Sequence, residues 1–219
     1  MRRILPVLAL CIAALPLCSW AVDSDTGLWA IATAKRGLNE KWAASLSGQL
    51  RFHRDMGSLE RVVLRPSLDY RVNQRITATA GYDAHFIRSP ADKIEQRLWE
   101  QLLYQVPTGG FNLSGRLRLE QRFIEHVSGT AVRLRIFAKA TRPLAKGPWY
   151  AALRNEVAFG LNGLPGGPRD GFDQNRLFLG LGRLLSPRTK IEFGYQMHYA
   201  RRVGEDAIIH QILISILFQ

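Results

Sequence analysis

The sequence contains very little cysteine: two residues among 219, Cys11 and Cys18, both close to the N-terminus. Every residue after position 18 is therefore without a thiol. Disulfides, thiolate metal sites and cysteine nucleophiles are excluded for nearly the whole chain. Packing and backbone hydrogen bonds must hold the fold together instead.

The two cysteines lie in a segment that predicts a secretory signal peptide. Two arginines follow Met1, the run from Ile4 to Leu17 is apolar, and small residues occupy the −3 and −1 positions before a cleavage site. We predict that residues 1–21 direct export to the periplasm and that residues 22–219 form the mature domain. A retained N-terminal anchor is one alternative. A lipoprotein signal at Cys18 is another, although the leucine before it is unusual there.

Long hydrophobic runs are also absent. After residue 21 no stretch contains 18 consecutive apolar residues, and this excludes a helical membrane protein. Alternation with period two, typical of β-strands, replaces helical spacing. Eleven such segments follow one another. In the clearest, residues 61–72, one face is mainly charged and the other carries Val62, Leu64, Pro66, Leu68, Tyr70 and Val72.

The connections between these segments alternate between short turns and longer loops, as in outer-membrane barrels. We therefore predict an all-β fold, a transmembrane antiparallel up-and-down β-barrel. Bacterial single-chain barrels have an even number of strands, so we predict twelve, with ten as the alternative. A three-residue turn at 72–74 predicts that Arg71 lies opposite Arg75 and Asp69 opposite Thr77.

Alternation alone does not decide which face meets the solvent, because a soluble barrel with an apolar interior has the same pattern. A barrel of ten or more strands is too wide for side chains to fill, and these strands are long for a soluble sheet. Aromatic residues of the apolar face also gather near strand ends, as in membrane-interface girdles. They are Trp42, Phe52, Tyr70, Phe86, Tyr104, Phe111, Phe123 and Tyr199. We predict that the apolar face contacts lipid.

Positive charge predominates, with 30 Lys and Arg against 18 Asp and Glu. Nucleic-acid binding is disfavoured because the chain is predicted to be exported and its charges stand singly along strands. The predicted lumen carries a surplus of cations that would attract anions. Its arginines include Arg51, Arg61, Arg65, Arg97, Arg116, Arg118, Arg122, Arg133, Arg135 and Arg176, and its carboxylates include Asp69, Glu120, Glu156 and Glu192.

Three functions are compatible with such a barrel. The first is a narrow anion-preferring channel or a pocket for an anionic solute. The second is a non-conducting envelope barrel, in which carboxylates pair with arginines across strands, as Glu120 could with Arg135. The third is a hydrolase or acyltransferase with a site at the loop-side mouth. The weak catalytic candidates for it are His53, Asp83, His85 and Glu95. No nucleophile motif accompanies them, and we predict no cofactor and no metal site.

Several motifs, in their order and spacing from Trp29 to the C-terminus, resemble a known family of bacterial outer-membrane barrels, the domain of unknown function 2490. They include Leu38–Trp42, Arg65–Tyr70, Glu95–Gln101, Arg116–Arg122 and Gly194-Tyr195. The resemblance implies an outer-membrane location and supplies no activity.

The last strand also resembles a signal for the barrel-assembly machinery. Its alternating apolar residues are Ile212, Ile214, Ile216 and Phe218. The expected partners are this machinery, outer-membrane lipid and lipopolysaccharide.

Overall fold

A computed structural model describes residues 23–89, 91–145, 147–202 and 205–219, and these form eleven β-strands. The predicted signal peptide, residues 1–21, lies outside the described residues. The strands are β1 (Asp23–Gly37), β2 (Trp42–His53), β3 (Ser58–Arg71), β4 (Ile76–Ile87), β5 (Lys93–Thr108), β6 (Phe111–Ile124), β7 (Ala131–Pro143), β8 (Trp149–Gly160), β9 (Gly171–Ser186), β10 (Thr189–Ala200) and β11 (Ala207–Phe218).

An asparagine side chain builds the short turn between β3 and β4 and corrects its predicted register. Asn73 Oδ1 accepts the backbone N–H groups of Arg75 (2.8 Å) and Ile76 (2.9 Å). Asparagine stabilises turns in this way. The connection extends to residue 75, so Arg71 pairs with Thr77 and the rest of the hairpin shifts with it. The shift is two residues, so the polar faces remain on one side of the sheet.

The first and last strands close the barrel as a parallel pair. Each strand is antiparallel to the next, but β1 runs parallel to β11, in register from Asp23↔Ala207 to Ala34↔Phe218. The prediction of twelve strands, or ten, is therefore wrong, since the barrel has eleven within the described residues. An odd number brings the first and last strands into the same direction. A full-length parallel ladder then satisfies both edges without a twelfth strand.

The two faces of the wall differ sharply in exposure. Outward-pointing leucines such as Leu46 and Leu117 are each 52% exposed, whereas inward-pointing Glu120 is 0% and Arg133 is 5% exposed. Exposed aromatic rings lie near strand ends, among them Trp42, Phe86, Tyr104, Phe111 and Phe123. The described part of the chain includes no helix long and apolar enough to span a membrane.

Polar contacts interrupt the apolar outer face at several positions. Gln121 of β6 donates to Glu100 of β5 at 3.3 Å, at an exposed position. Tyr195 of β10 contacts His210 of β11, with 2.6 Å between the hydroxyl oxygen and Nδ1. Each pair joins neighbouring strands, so these outward polar groups have a partner within the wall.

Inside the barrel, aromatic rings fill space left by glycines. The indole of Trp99 covers Gly81 on the neighbouring strand, and a Cβ added to Gly81 would lie 2.2 Å from the Trp99 ring. The phenol of Tyr150 covers Gly182 in the same way. Buried Trp29, Ala152, Phe178 and Leu213 form an apolar cluster on the β1, β8, β9 and β11 side. The lumen therefore has both an apolar wall and a charged one.

Gly81→Ala is expected to lower the free energy of unfolding by about 1–3 kcal/mol, because the added methyl group overlaps a ring that cannot move freely. Denaturant unfolding of the barrel in detergent, followed by tryptophan fluorescence, measures this loss. The control is Gly48→Ala in β2, where an added Cβ has no neighbour within 4 Å. Equal effects at the two positions would contradict the tight packing of Trp99 on Gly81.

Candidate functional site: an arginine-rich lumen

Glu120 of β6 is the centre of the largest ion-pair cluster in the lumen. Its carboxylate lies 2.5 Å from Arg133 Nη2 and 2.6 Å from Arg135 Nη1, both on β7. The guanidinium groups of Arg97 and Arg118 lie 3.7 and 3.8 Å away. Glu120 and Arg133 are direct cross-strand partners, so the register brings this cluster together. One buried carboxylate thus serves four arginines on three strands.

Asp83 of β4 forms a second buried cluster. Arg65 donates to both of its oxygens at 2.7 and 2.6 Å, in a bidentate pair. Trp99 Nε1 donates at 2.7 Å, and His85 Nε2 lies 3.4 Å away. Asp83 and His85 are both 0% exposed. These contacts hold the Asp83 carboxylate in a fixed position inside the wall of the lumen.

Three of the four weak catalytic candidates lie together, and the fourth lies apart. His85 Nε2 is 3.4 Å from Asp83, and His85 is the direct cross-strand partner of Glu95. Glu95 pairs with Arg97 at 2.8 Å and with Arg122 at 2.6 Å. His53 contacts a different carboxylate, with its Nδ1 3.8 Å from Asp25. Among the described residues no hydroxyl group hydrogen-bonds to His53 or His85.

Two further lumen carboxylates, Asp69 and Glu192, are also paired. Asp69 accepts from Lys35 at 2.6 Å and from Thr79 at 2.7 Å. Glu192 accepts from Lys139 at 2.5 Å and from the Tyr150 hydroxyl at 2.9 Å. Within the described ranges no cluster of three or more His, Cys, Asp or Glu could hold a metal ion.

Glu156 of β8 is paired with three arginines, which come from three other strands. It contacts Arg116 of β6, Arg135 of β7 and Arg176 of β9, the last at 3.2 Å. These residues face a central cavity of about 120 Å³, to which nine of the eleven strands contribute. Its charged lining consists of one carboxylate, Glu156, and six arginines: Arg51, Arg65, Arg116, Arg135, Arg154 and Arg176.

Aromatic rings hold several of these guanidinium groups in position. Arg51 lies 4.0 Å and Arg176 4.9 Å from the ring centre of Trp29, and Arg154 lies 4.1 Å from that of Phe178. Such cation–π contacts stabilise a buried cation without neutralising it. Arg51 has no carboxylate within 4 Å in the described part of the chain, and its buried Nε has no hydrogen-bond partner there.

Comparison with known proteins identifies the family. The family model described as a protein of unknown function, DUF2490, matches residues 26–208. The chain belongs to the DUF2490 family. An uncharacterized protein of Methylorubrum extorquens is 29% identical over 176 residues, which are 78% of this chain and 77% of the relative.

A solved porin structure, that of NanC, shares the fold of this DUF2490 protein. The TM-score is 0.55 at 12% identity, over 89% of this chain and 98% of that chain. At this identity the likeness concerns the fold alone. The DUF2490 chain is therefore a closed, porin-like β-barrel.

Sequence reasoning missed the apolar wall of the lumen of this DUF2490 protein. Trp29, Ile31 and Leu213 line the central cavity, although period-two analysis assigned mainly polar residues to the inside. They lie on β1 and β11, where both faces carry apolar residues, so alternation is weak. The useful signal is that loss of alternation: Ile209 and Leu213 interrupt the polar face expected for β11.

Proposed function

We propose that this DUF2490 protein is an outer-membrane β-barrel whose lumen takes up small anions and passes them in preference to cations. The central cavity carries this proposal, because six of its lining residues are arginines and, within the described part of the chain, only Glu156 in the lining is acidic. A low-dielectric wall strengthens the field of such a cluster, so anions are attracted and cations repelled.

A second cavity toward the short-turn end supports a path through the barrel. It has a volume of about 170 Å³, and Lys139 and Lys190 are among its lining residues. Thr33 and Ser215 also line it, one inward position further along β1 and β11 than Ile31 and Leu213 of the central cavity. The two cavities are thus stacked along the barrel axis, and both carry basic side chains.

The outer-membrane location is supported by the apolar outer face, the aromatic rings near strand ends and the porin-like fold. In this proposal the signal peptide, residues 1–21, directs export to the periplasm. Ile212, Ile214, Ile216 and Phe218 of β11 present the assembly signal to the barrel-assembly machinery. Lipid and lipopolysaccharide then surround the folded wall.

In planar bilayers with a potassium chloride gradient, the reversal potential is expected to show a preference for Cl⁻ over K⁺. Arg51→Gln should reduce the Cl⁻/K⁺ permeability ratio by about twofold or more, because it removes a cavity charge that no carboxylate balances. The control is Arg88→Gln, in an exposed loop where the Arg88 side chain is 57% exposed. A preference for K⁺, or equal effects of the two variants, would contradict the proposal.

A non-conducting envelope barrel is the second candidate, and the filling of the lumen favours it. Asp83, His85 and Glu120 have no exposed surface, so charged side chains fill the lumen on the β4–β7 side. Single-channel recording separates the two functions. An absence of conductance steps from correctly folded protein would favour the envelope barrel.

A further inference from the structure

Inside the central cavity, the carboxylate of Glu156 occupies a binding site that is formed by arginine side chains. Its carboxylate contacts the guanidinium groups of Arg116, Arg135 and Arg176, and its side chain is 9% exposed. Guanidinium groups bind a planar carboxylate through parallel N–H···O bonds. Three strands therefore aim complementary donors at one −CO₂⁻ position.

Arg51 supplies the cavity with more donor capacity than the protein's own carboxylates use. The side chain is 8% exposed, and its Nη2 is 3.4 Å from the Gln49 amide oxygen. Its Nε is buried without a hydrogen-bond partner, as are the Nε atoms of Arg116, Arg135 and Arg176. Buried donors without acceptors are costly, so an added carboxylate would satisfy groups that the folded chain leaves open.

The rest of the lining limits the size and polarity of what can enter. Besides glutamines, it consists of apolar side chains: Trp29, Ile31, Phe137 and Leu213. Its volume of about 120 Å³ is somewhat smaller than the ~150 Å³ of an apolar cavity that holds benzene. A short apolar body fits this space, whereas a body rich in hydroxyl groups would leave them without partners against the apolar wall.

We infer that the central cavity binds one short-chain monocarboxylate, with a body of about three or four carbon atoms, and that Glu156 holds the carboxylate position in its absence. This inference rests on the proposed function, because it names the solute class of the anion-preferring lumen. The carboxylate of the solute competes with that of Glu156 for binding to Arg116, Arg135 and Arg176. Arg51 supplies an additional hydrogen-bond donor to the solute.

Calorimetric titration of the full barrel in detergent with butyrate, at constant ionic strength, tests the site. Saturable binding is expected for butyrate and none for butylammonium, which has the same body and the opposite charge. Glu156→Gln should tighten butyrate binding about threefold or more, because the competing tethered carboxylate is gone. Arg51→Gln breaks no ion pair and so should fold; it should weaken butyrate binding about fivefold.

The matched control is Asp173→Asn, which also removes one lumen carboxylate. Asp173 pairs with Arg133 at 2.8 Å and does not line the cavity, so butyrate binding should stay nearly unchanged. Equal tightening by Asp173→Asn and Glu156→Gln would overturn the inference, since a general increase in positive potential would then explain both effects.

Two outcomes separate this inference from the proposed function. Chloride preference without butyrate binding would overturn the inference and leave the proposed function standing. Butyrate binding without anion-selective conductance would support the site and overturn the proposed passage of anions.

Discussion

Glu120→Gln is expected to lower the free energy of unfolding by about 3–5 kcal/mol, the largest loss from any single lumen carboxylate. Glutamine preserves the shape of the side chain. Among the described residues, however, it removes the only negative charge within 4 Å of Arg118 and one of two within 4 Å of Arg135. Glu120 has no exposed surface, so water cannot replace the lost charge. Removing one partner of a buried pair costs far more than the pair contributes on balance, because the remaining charge stays buried. Denaturant unfolding in detergent micelles measures the loss.

The matched control for Glu120→Gln is Asp92→Asn. Asp92 pairs with Arg88 at 3.2 Å, but their side chains are 70% and 57% exposed, so the expected loss is below about 1 kcal/mol. Adding Arg118→Gln to Glu120→Gln should recover part of the lost stability, because Arg118 has no other carboxylate within 4 Å among the described residues and would remain as an uncompensated cation. A loss at Glu120 no larger than at Asp92, or no recovery in the double variant, would show that water reaches the cluster.

The ion pairs of the lumen serve both of the functions considered above. Glu120, Asp83 and Glu95 bind arginines on the β3–β7 side, where the interior is filled and each of these arginines lies within 4 Å of a carboxylate. Around the central cavity the balance differs, since Glu156 alone faces six arginines there. The same residue type therefore stabilises one part of the lumen and creates an unbalanced field in the other.

The period-two pattern predicted most of the wall because the strands from β2 to β7 largely separate their apolar and charged residues, with Glu100 on the apolar face of β5 as an exception. Arg118, Glu120 and Arg122 could be placed on one face of β6 from sequence alone, and that face has low exposure in the structure. The pairing of Glu120 with Arg133 depends on the register of β6 and β7. A period-two pattern does not fix this register, because a shift of two residues keeps every side chain on the same face. The β3–β4 hairpin is an example of such a register error. The turn formed by Asn73 is longer than predicted, so Arg71 pairs two residues further along β4 than expected.

The strand count and the cavity could not be predicted for a different reason. An even number is a regularity of known bacterial barrels and not a physical requirement, because a parallel ladder also closes the wall. The cavity depends on how Trp29, Ile31 and Leu213 pack beside Arg51 and Arg176. The pairing of Trp29 with Leu213 and its contact with Arg176 join residues that are far apart in the sequence, and no local pattern encodes them.

Leu117→Arg is expected to lower the free energy of unfolding in lipid vesicles by about 2–4 kcal/mol, because it places a cation on the lipid side near the middle of β6. Leu117 is 52% exposed and points away from its neighbours Arg116 and Arg118, which point into the lumen. The control is Ser45→Arg in β2, where the side chain faces inward beside Lys35 and within reach of Asp69. A much smaller loss is expected there, since a lumen cation keeps polar neighbours. Because a soluble barrel would tolerate an outward arginine, an unchanged stability for Leu117→Arg would contradict the membrane orientation on which the anion-passing lumen depends.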